Sequence, residues 1–258
     1  NQRVRPHLDD KILTSWNAMM ISALARGARA LDEPRYLQAA LRAEAFLKEN
    51  LVRAGDGQLL RRWRDGEGAI DAFLDDYAAL IQAQIDLFEA VFDTKHVVFA
   101  RELALKLLST FEDKQHGAFF SAPPSDDLVM RLKEDYDGAE PSGNSVAVNA
   151  LLQLTGYTGE SAFEEAANDA LSAFSSRIAQ QSVTIPQMLC ALIRQGQPQS
   201  EITFTGEATE LRREANRHFQ PFLILKSEPG ETASAVVCKD FVCSLPVSTP
   251  AELGKLLG

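Results

Sequence analysis

The chain has 258 residues, enough to bury a sizeable core in one large or two modest domains. Its 45% hydrophobic and 24% charged content is that of a soluble globular protein. A net charge of -10 excludes the basic footprint of a nucleic-acid binder, no apolar run approaches the roughly 20 residues of a membrane span, and no secretory signal opens the chain.

Apolar positions recur at helical spacing over 12–31, through Ile12, Leu13, Trp16, Met19, Met20, Ala23, Leu24 and Ala28. Pro34 breaks the pattern and 36–51 resumes it, which predicts a helical hairpin. The stretch 58–68 is too broken for a helix and suits a β-hairpin around Arg64-Asp65-Gly66. The cycle then repeats, with helices over 73–92 and 96–111 and a short extended pair, 118–121 and 128–132, in the following loop. A third hairpin covers 144–154 and 161–178, and 184–194 reads as the first arm of a fourth without its second. Around Gly196-Gln197-Pro198 the character changes. A strand at 201–205, a helix at 207–219, a strand at 222–226, a hairpin of 233–237 with 242–245 and a helix at 250–257 predict a small β-α-β-β-α unit. The expected division is 1–196 and 197–258.

Three helix entrances are acidic and polar: Asp9-Asp10-Lys11, Asp75-Asp76-Tyr77, and the loop Tyr136-Asp137-Gly138-Ala139-Glu140-Pro141-Ser142-Gly143-Asn144-Ser145. They recur about every sixty-odd residues, and such a repeat places equivalent residues at one end of a helical array. Hairpins strung in this way build α/α toroids, whose inner helices line a central cavity. Here 14–30, 73–92, 144–154 and 184–194 are the expected inner helices. They supply a little over half of a closed six-hairpin ring. The chain opens on Asn1 rather than Met, directly into a motif, and is read as part of a longer protein whose remaining helices lie upstream.

Three stretches carry a family resemblance: Arg5-Pro6-His7-Leu8-Asp9-Asp10-Lys11-Ile12-Leu13-Thr14-Ser15-Trp16-Asn17, Leu74-Asp75-Asp76-Tyr77-Ala78, and Asp137-Gly138-Ala139-Glu140-Pro141-Ser142-Gly143-Asn144-Ser145. They resemble the YyaL-type thioredoxin-domain-containing proteins, whose animal members are called spermatogenesis-associated protein 20. The ending Val237-Cys238 through Cys243-Ser244-Leu245-Pro246 is similar to that family's C-terminus. The resemblance implies a mostly α fold: a partial α/α toroid related to N-acylglucosamine 2-epimerases and six-hairpin glycosidases, joined to a small α/β unit. It implies a thioredoxin-like domain of the same parent chain as a partner. This sequence has no Cys-x-x-Cys, so it carries no redox motif of its own.

The functional reading is carbohydrate binding or processing, with an epimerase-, isomerase- or glycosidase-like activity in the intact protein and none in this stretch alone. The rival is a non-catalytic helical scaffold beside the thioredoxin-like domain. Candidate catalytic groups are Asp76, Asp10, Glu140 and His7, since glycoside cleavage needs two carboxyl groups about 5–10 Å apart and epimerisation needs a base, often His. Taken alone, Asp75 or Asp76 reads first as a helix cap, and the catalytic reading gains only from the other acidic residues at the rim. Candidate sugar contacts are Trp16, Asn17, Trp63, Arg64, Tyr77, Asp137, Ser142 and Asn144, the aromatics for stacking and the rest for hydrogen bonding. Packing is the plain alternative for Trp16 and Tyr77, and capping for Ser142. Arg131 and Lys133 either bind an anionic group or neutralise the acidic rim. His96 and His218 read as outer or surface positions, and Cys190 as a core residue. Three cysteines make no disulfide framework, so Cys238 and Cys243 are expected reduced in a cytoplasmic protein. No metal or cofactor is expected.

Overall fold

The computed structural model describes residues 3–240 and 242–258. Apolar spacing produces helices α1 (Thr14–Leu31), α2 (Pro34–Leu51), α3 (Leu74–Val91) and α4 (Lys95–Phe111). Pro34 does more than interrupt the pattern. It opens α2, where its missing N–H has no partner to lose. Asp32, left-handed at φ 51, closes α1 just before it. The third hairpin is α5 (Gly143–Thr158) with α6 (Ser161–Ala173). Its outer arm breaks at Phe174 and resumes as α7 (Ser175–Gln181), so 161–178 is not one helix. Helix α8 (Pro186–Gly196) follows with no outer partner.

The helices form two rows. In the inner row α1 packs on α3, α3 on α5 and α5 on α8, while α2, α4 and α6 back them from outside. The core lies between the rows, with Ile21, Leu47, Ile81, Leu107, Leu151 and Phe163 fully enclosed. Each such side chain contributes about 1.5–3 kcal/mol by leaving water. Ala18, Ala25, Ala78, Ala83 and Ala147, all fully buried, let the inner helices approach closely.

The first inter-hairpin loop forms a sheet of β1 (Ile12–Leu13), β2 (Leu60–Arg64) and β3 (Glu67–Asp71), antiparallel in the order β1-β2-β3. Ile12 and Leu13 are therefore strand rather than helix, because they pair with Trp63 and Arg62. The expected strand pair at 118–121 and 128–132 does not form. One backbone bond, Ser121 N–H to Leu132 O, joins the two stretches; otherwise 118–120 bonds back to 111–113, and Asn144 accepts from Phe119 N–H and donates to Phe119 O. Gly117 in this loop has φ 71, and a Cβ there would sit 2.5 Å from Asp169 O, so only glycine fits.

The C-terminal stretch comprises β4 (Ser200–Thr205), α9 (Thr209–Arg217), β5 (Ile224–Glu228), β6 (Ser234–Lys239), β7 (Val242–Cys243) and α10 (Pro250–Leu257). The sheet order is β5-β4-β6-β7, with β4 and β5 parallel across α9 and the remaining pairs antiparallel. Its core is a second cluster that includes Ile202, Phe204, Leu211, Val237 and Leu253. Phe92, at the left-handed end of α3, meets Phe204 edge-on at 6.0 Å and so joins the two clusters. Cys238 and Cys243 are not reduced. Residues 238 and 243 stand directly opposite in the β6–β7 register with Cα atoms 4.0 Å apart, and a disulfide joins them. Among the described residues no helix is long and apolar enough to cross a membrane.

Candidate functional site

The acidic entrances do gather at one end of the inner row, and most of their polar groups are spent on holding it together. Asp76 is fully buried. Its carboxylate accepts the N–H of Ser15 at the start of α1 (3.0 Å) and of Phe73 ahead of α3 (3.0 Å), and pairs with Arg61 of β2 at 2.9 Å. One side chain thus caps two inner helices and ties both to the sheet. Burial, with the neighbouring Asp75, pushes Asp76 up to about 6 against the pull of these donors. Asp76 has no open face, and its carboxylate is engaged as a cap. Asp75 remains partly exposed beside Arg61, at 3.1 Å.

Tyr77 is likewise turned into the packing. It is fully enclosed, its ring on Phe111 and its hydroxyl accepting Leu59 N–H. Trp63 packs edge-on against Phe46 of the outer helix α2, at 5.6 Å. Asn17 donates back to Leu13 O, at the end of β1 just ahead of its helix. Asp137 accepts from Ser142 N–H and Gln187 N–H, which fastens its loop to the start of α8. Ser142 caps α5, and buried Asn144 anchors the preceding loop through Phe119 and Glu134. Arg131 and Lys133 serve the same loop, Lys133 pairing with Asp113 at 2.8 Å.

Two exposed groupings remain at this rim. Trp16 Nε1 donates to Glu140 at 2.9 Å, across 124 residues of sequence. Arg64 pairs with Asp10 at 2.7 Å and lies 2.6 Å from His7 Nε2. The structure therefore brings Trp16 to Glu140, and His7 and Asp10 to Arg64.

A larger concave feature lies elsewhere. A cavity of about 510 Å³ runs along the inner faces of α1, α3, α5 and α8 and is closed over by the end of α9 and the segment 218–223. Its walls are polar. Asp86 takes an ion pair from Arg26 (2.9 Å) and hydrogen bonds from Ser22 and from Gln82 (3.3 Å). Glu89 pairs with Arg29 and accepts from Gln153 (3.0 Å) and the Tyr157 hydroxyl. Gln82 also donates to Gln153 at 3.2 Å, so the two carboxylates share one network. Burial pushes the Asp86 carboxyl up, with Arg26 pulling the other way. Burial, then Glu89, raises the Tyr157 phenol well above its ordinary range.

None of these lumen groups was among the sequence candidates, although a signal was present. Gln82, Asp86 and Glu89 recur at helical spacing on a helix that is otherwise apolar on nearly every side, and so do Gln187, Cys190 and Arg194 on α8. Cys190 is consequently an exposed wall residue, not a core one. His218 also borders this lumen, turned towards Glu214 at 3.1 Å. His96 is enclosed between helices and bonded to Gln84. Among the described residues no group of three His, Cys, Asp or Glu side chains is placed to hold a metal ion.

No protein-family model matches the chain. It is 32% identical to spermatogenesis-associated protein 20 of Homo sapiens, over 99% of this chain and 37% of that protein. It is 30% identical to the Rattus norvegicus protein of the same name, over the same shares. The chain thus spans little more than a third of the length of these relatives. Among solved structures, cellobiose 2-epimerase from Spirochaeta thermophila DSM 6192 superposes with a TM-score of 0.54 at 22% identity, over 66% of this chain and 44% of that one. A GH76 α-mannanase of Bacteroides thetaiotaomicron gives 0.55 at 16%, over 66% and 46%. An α-1,6-mannanase of Salegentibacter sp. HEL1_6, made inactive by replacing two adjacent aspartates and bound to α-1,6-mannotetrose, gives 0.52 at 14%, over 63% and 47%. These likenesses show the fold, a run of helical hairpins equal to just under half of such a toroid. The chain is therefore similar over nearly its whole length to part of spermatogenesis-associated protein 20, and its helical hairpins share the α/α-toroid fold seen in the sugar epimerase and GH76 structures.

Proposed function

We propose that this chain is a carbohydrate-binding wall of a toroid in a larger protein, with the saccharide held in the lumen. The observation that carries this reading is the inversion of polarity across the inner row. The faces of α1, α3 and α5 turned towards the outer helices are apolar. The faces turned inward present Arg26, Arg29, Gln82, Asp86, Glu89 and Gln153 to one cavity of about 510 Å³. A volume in the few-hundred Å³ range with convergent polar groups is the form of a small-molecule site. Planar amide, carboxylate and guanidinium groups can each hydrogen-bond paired hydroxyls. The epimerase and mannanase neighbours act on saccharides in toroids of this type, which supports the same ligand class here. At the rim Asp76 of the Asp75-Asp76 pair is sealed, which leaves Asp75 as the member facing solvent. Binding is therefore the better-supported part of the reading. Isomerase- or glycosidase-like chemistry would be a property of the longer protein.

Calorimetric titration of the 258-residue chain with mono- and disaccharides tests this. Saturable binding that is lost in Glu89→Gln and kept in Asp75→Asn supports the lumen. The opposite pattern moves the site to the rim, and no binding by any saccharide overturns the reading. The second reading, a non-catalytic scaffold beside a thioredoxin-like domain, has one observation in its favour. Trp16 and Met20, one turn apart on α1, are 56% and 58% exposed, an apolar face available to another protein surface. A cytoplasmic setting loses one of its grounds, because the Cys238–Cys243 disulfide is of a kind uncommon in reducing compartments.

A further inference from the structure

Charge in the lumen does not balance. Its walls hold the guanidinium groups of Arg26, Arg29 and Arg194 but only the carboxylates of Asp86 and Glu89. Arg26 is matched by Asp86 and Arg29 by Glu89. Arg194, on the last turn of α8, has no ion pair among the described residues. Its one hydrogen bond is a long contact to Pro221 O at 3.4 Å, its Nε is buried with no partner, and its guanidinium lies 5.0 Å from the Phe222 ring centre. A cation in the final turn of a helix is favoured by the helix dipole. That role is served by an exposed side chain and does not require burying an unpartnered donor, which costs free energy. Arg212, the other buried guanidinium without a carboxylate, lies outside the lumen and is covered by the rings of both Phe92 and Phe204. Arg194 is thus the lumen guanidinium with no ion pair of its own among the described residues, because the carboxylates that act on it, Glu89 and Asp86, are already paired with Arg29 and Arg26. This is in a chain with an excess of acidic residues.

Resting on the lumen as the saccharide site, we propose that Arg194 is an anion subsite and that the ligand is a saccharide bearing a carboxylate or phosphate. The five-donor fork of arginine suits either oxyanion bidentately. Phe222, on the segment that closes the cavity, holds the fork's plane, so recognition of the anion and closure of the lumen meet at one residue pair.

Titration of the 258-residue chain with glucose, glucuronate, glucose 6-phosphate and inorganic phosphate tests this. The acidic sugars are expected to bind more tightly than glucose. Arg194→Met, which keeps the stem on Phe222, should weaken only the acidic sugars, by roughly ten- to hundredfold. Whichever of glucuronate and glucose 6-phosphate shows the larger loss identifies the oxyanion. Glucose binding that is unchanged in the variant serves as the measure that the lumen is intact. Arg194→Lys should restore part of the loss. Equal affinity for glucose and the acidic sugars overturns the subsite while leaving the saccharide site standing. Binding of inorganic phosphate as tight as that of glucose 6-phosphate overturns it as well, since no sugar is then being read. Failure of every sugar to bind removes the saccharide reading itself.

Discussion

Asp76→Ala is the most direct probe of how this end of the toroid is assembled. The substitution removes the acceptor of two buried N–H groups, Ser15 on α1 and Phe73 ahead of α3, and one of the two carboxylates on Arg61. Arg61 keeps Asp75 at 3.1 Å and its place over the Phe73 ring, so the guanidinium is not left stranded. The loss is then dominated by the two orphaned N–H groups, at about 1–3 kcal/mol each. An overall cost of about 2–6 kcal/mol follows, a large share of a typical stability of about 5–15 kcal/mol. Urea denaturation followed by far-UV circular dichroism reads it directly. A loss below about 1 kcal/mol would falsify the claim that Asp76 joins α1, α3 and β2.

The same group sets a pH dependence. Its carboxyl titrates near 6 in the folded chain, above the 3.8 of an unhindered aspartate. Between those values the folded state holds a proton that the unfolded state has released. The stabilisation linked to that proton is fully present below about pH 4, is lost as pH rises through about 6, and amounts to about 3 kcal/mol. Asp76→Asn, which cannot titrate, should flatten this slope. An identical pH profile in wild type and Asn variant would refute the assignment.

Further predictions concern groups outside that cap. Tyr157→Phe removes the hydroxyl donor to Glu89 and is expected to cost about 1–2 kcal/mol. In an alkaline spectrophotometric titration it should also delete one phenol that ionises only as the chain unfolds, and a late phase unchanged in the variant would exclude Tyr157 as its source. Without reductant the folded chain should react with a thiol reagent at one position, Cys190; full reduction should add Cys238 and Cys243. Because the cross-linked loop is short, reduction should cost no more than about 2–3 kcal/mol, with the change in hydrogen exchange confined to β6, β7 and the residues that follow.

The hairpin layout was legible because core burial between two rows of helices imposes a strong 3.6-residue period, as in Ile81 and Leu107. Helix boundaries slipped where tertiary pairing overrode that period. Ile12 and Leu13 fit the helical stripe, yet their backbone is claimed by β2. The strand pair expected within 118–132 depended on local propensity; its first stretch bonds instead to the end of α4 at 111–113 and to the side chain of Asn144. The rim was found by its acidic clusters, but a sequence does not show whether a carboxylate faces a cavity or a backbone N–H. Asp76 and Asp137 both turned to backbone. The lumen was missed for the converse reason. Asp86 and Glu89 sit inside an apolar run, where they read as the polar edge of an amphipathic helix, and only the packing of α1 and α5 on either side turns that edge inward.

Polar groups buried along an inner helix are a cost to the fold unless something uses them, and this gives the lumen a stability signature of its own. Asp86 is 1% exposed, and its pairing with the half-exposed Arg26 has to offset chiefly the lost hydration of the carboxylate. If the pair exists to build a binding wall, the fold does not need it. Replacing both residues together, Arg26→Met with Asp86→Leu, should then be neutral or stabilising by up to about 4 kcal/mol. Asp86→Leu alone strands the Ser22 and Gln82 donors and leaves Arg26 without its partner, although Arg26 can reach water because its side chain is 58% exposed. A cost of about 1–3 kcal/mol is expected for that single change. Saccharide binding should be lost in both variants. Were the double replacement to cost 3 kcal/mol or more, the network would be part of the packing of α1 on α3, and the polar lumen would have a structural origin.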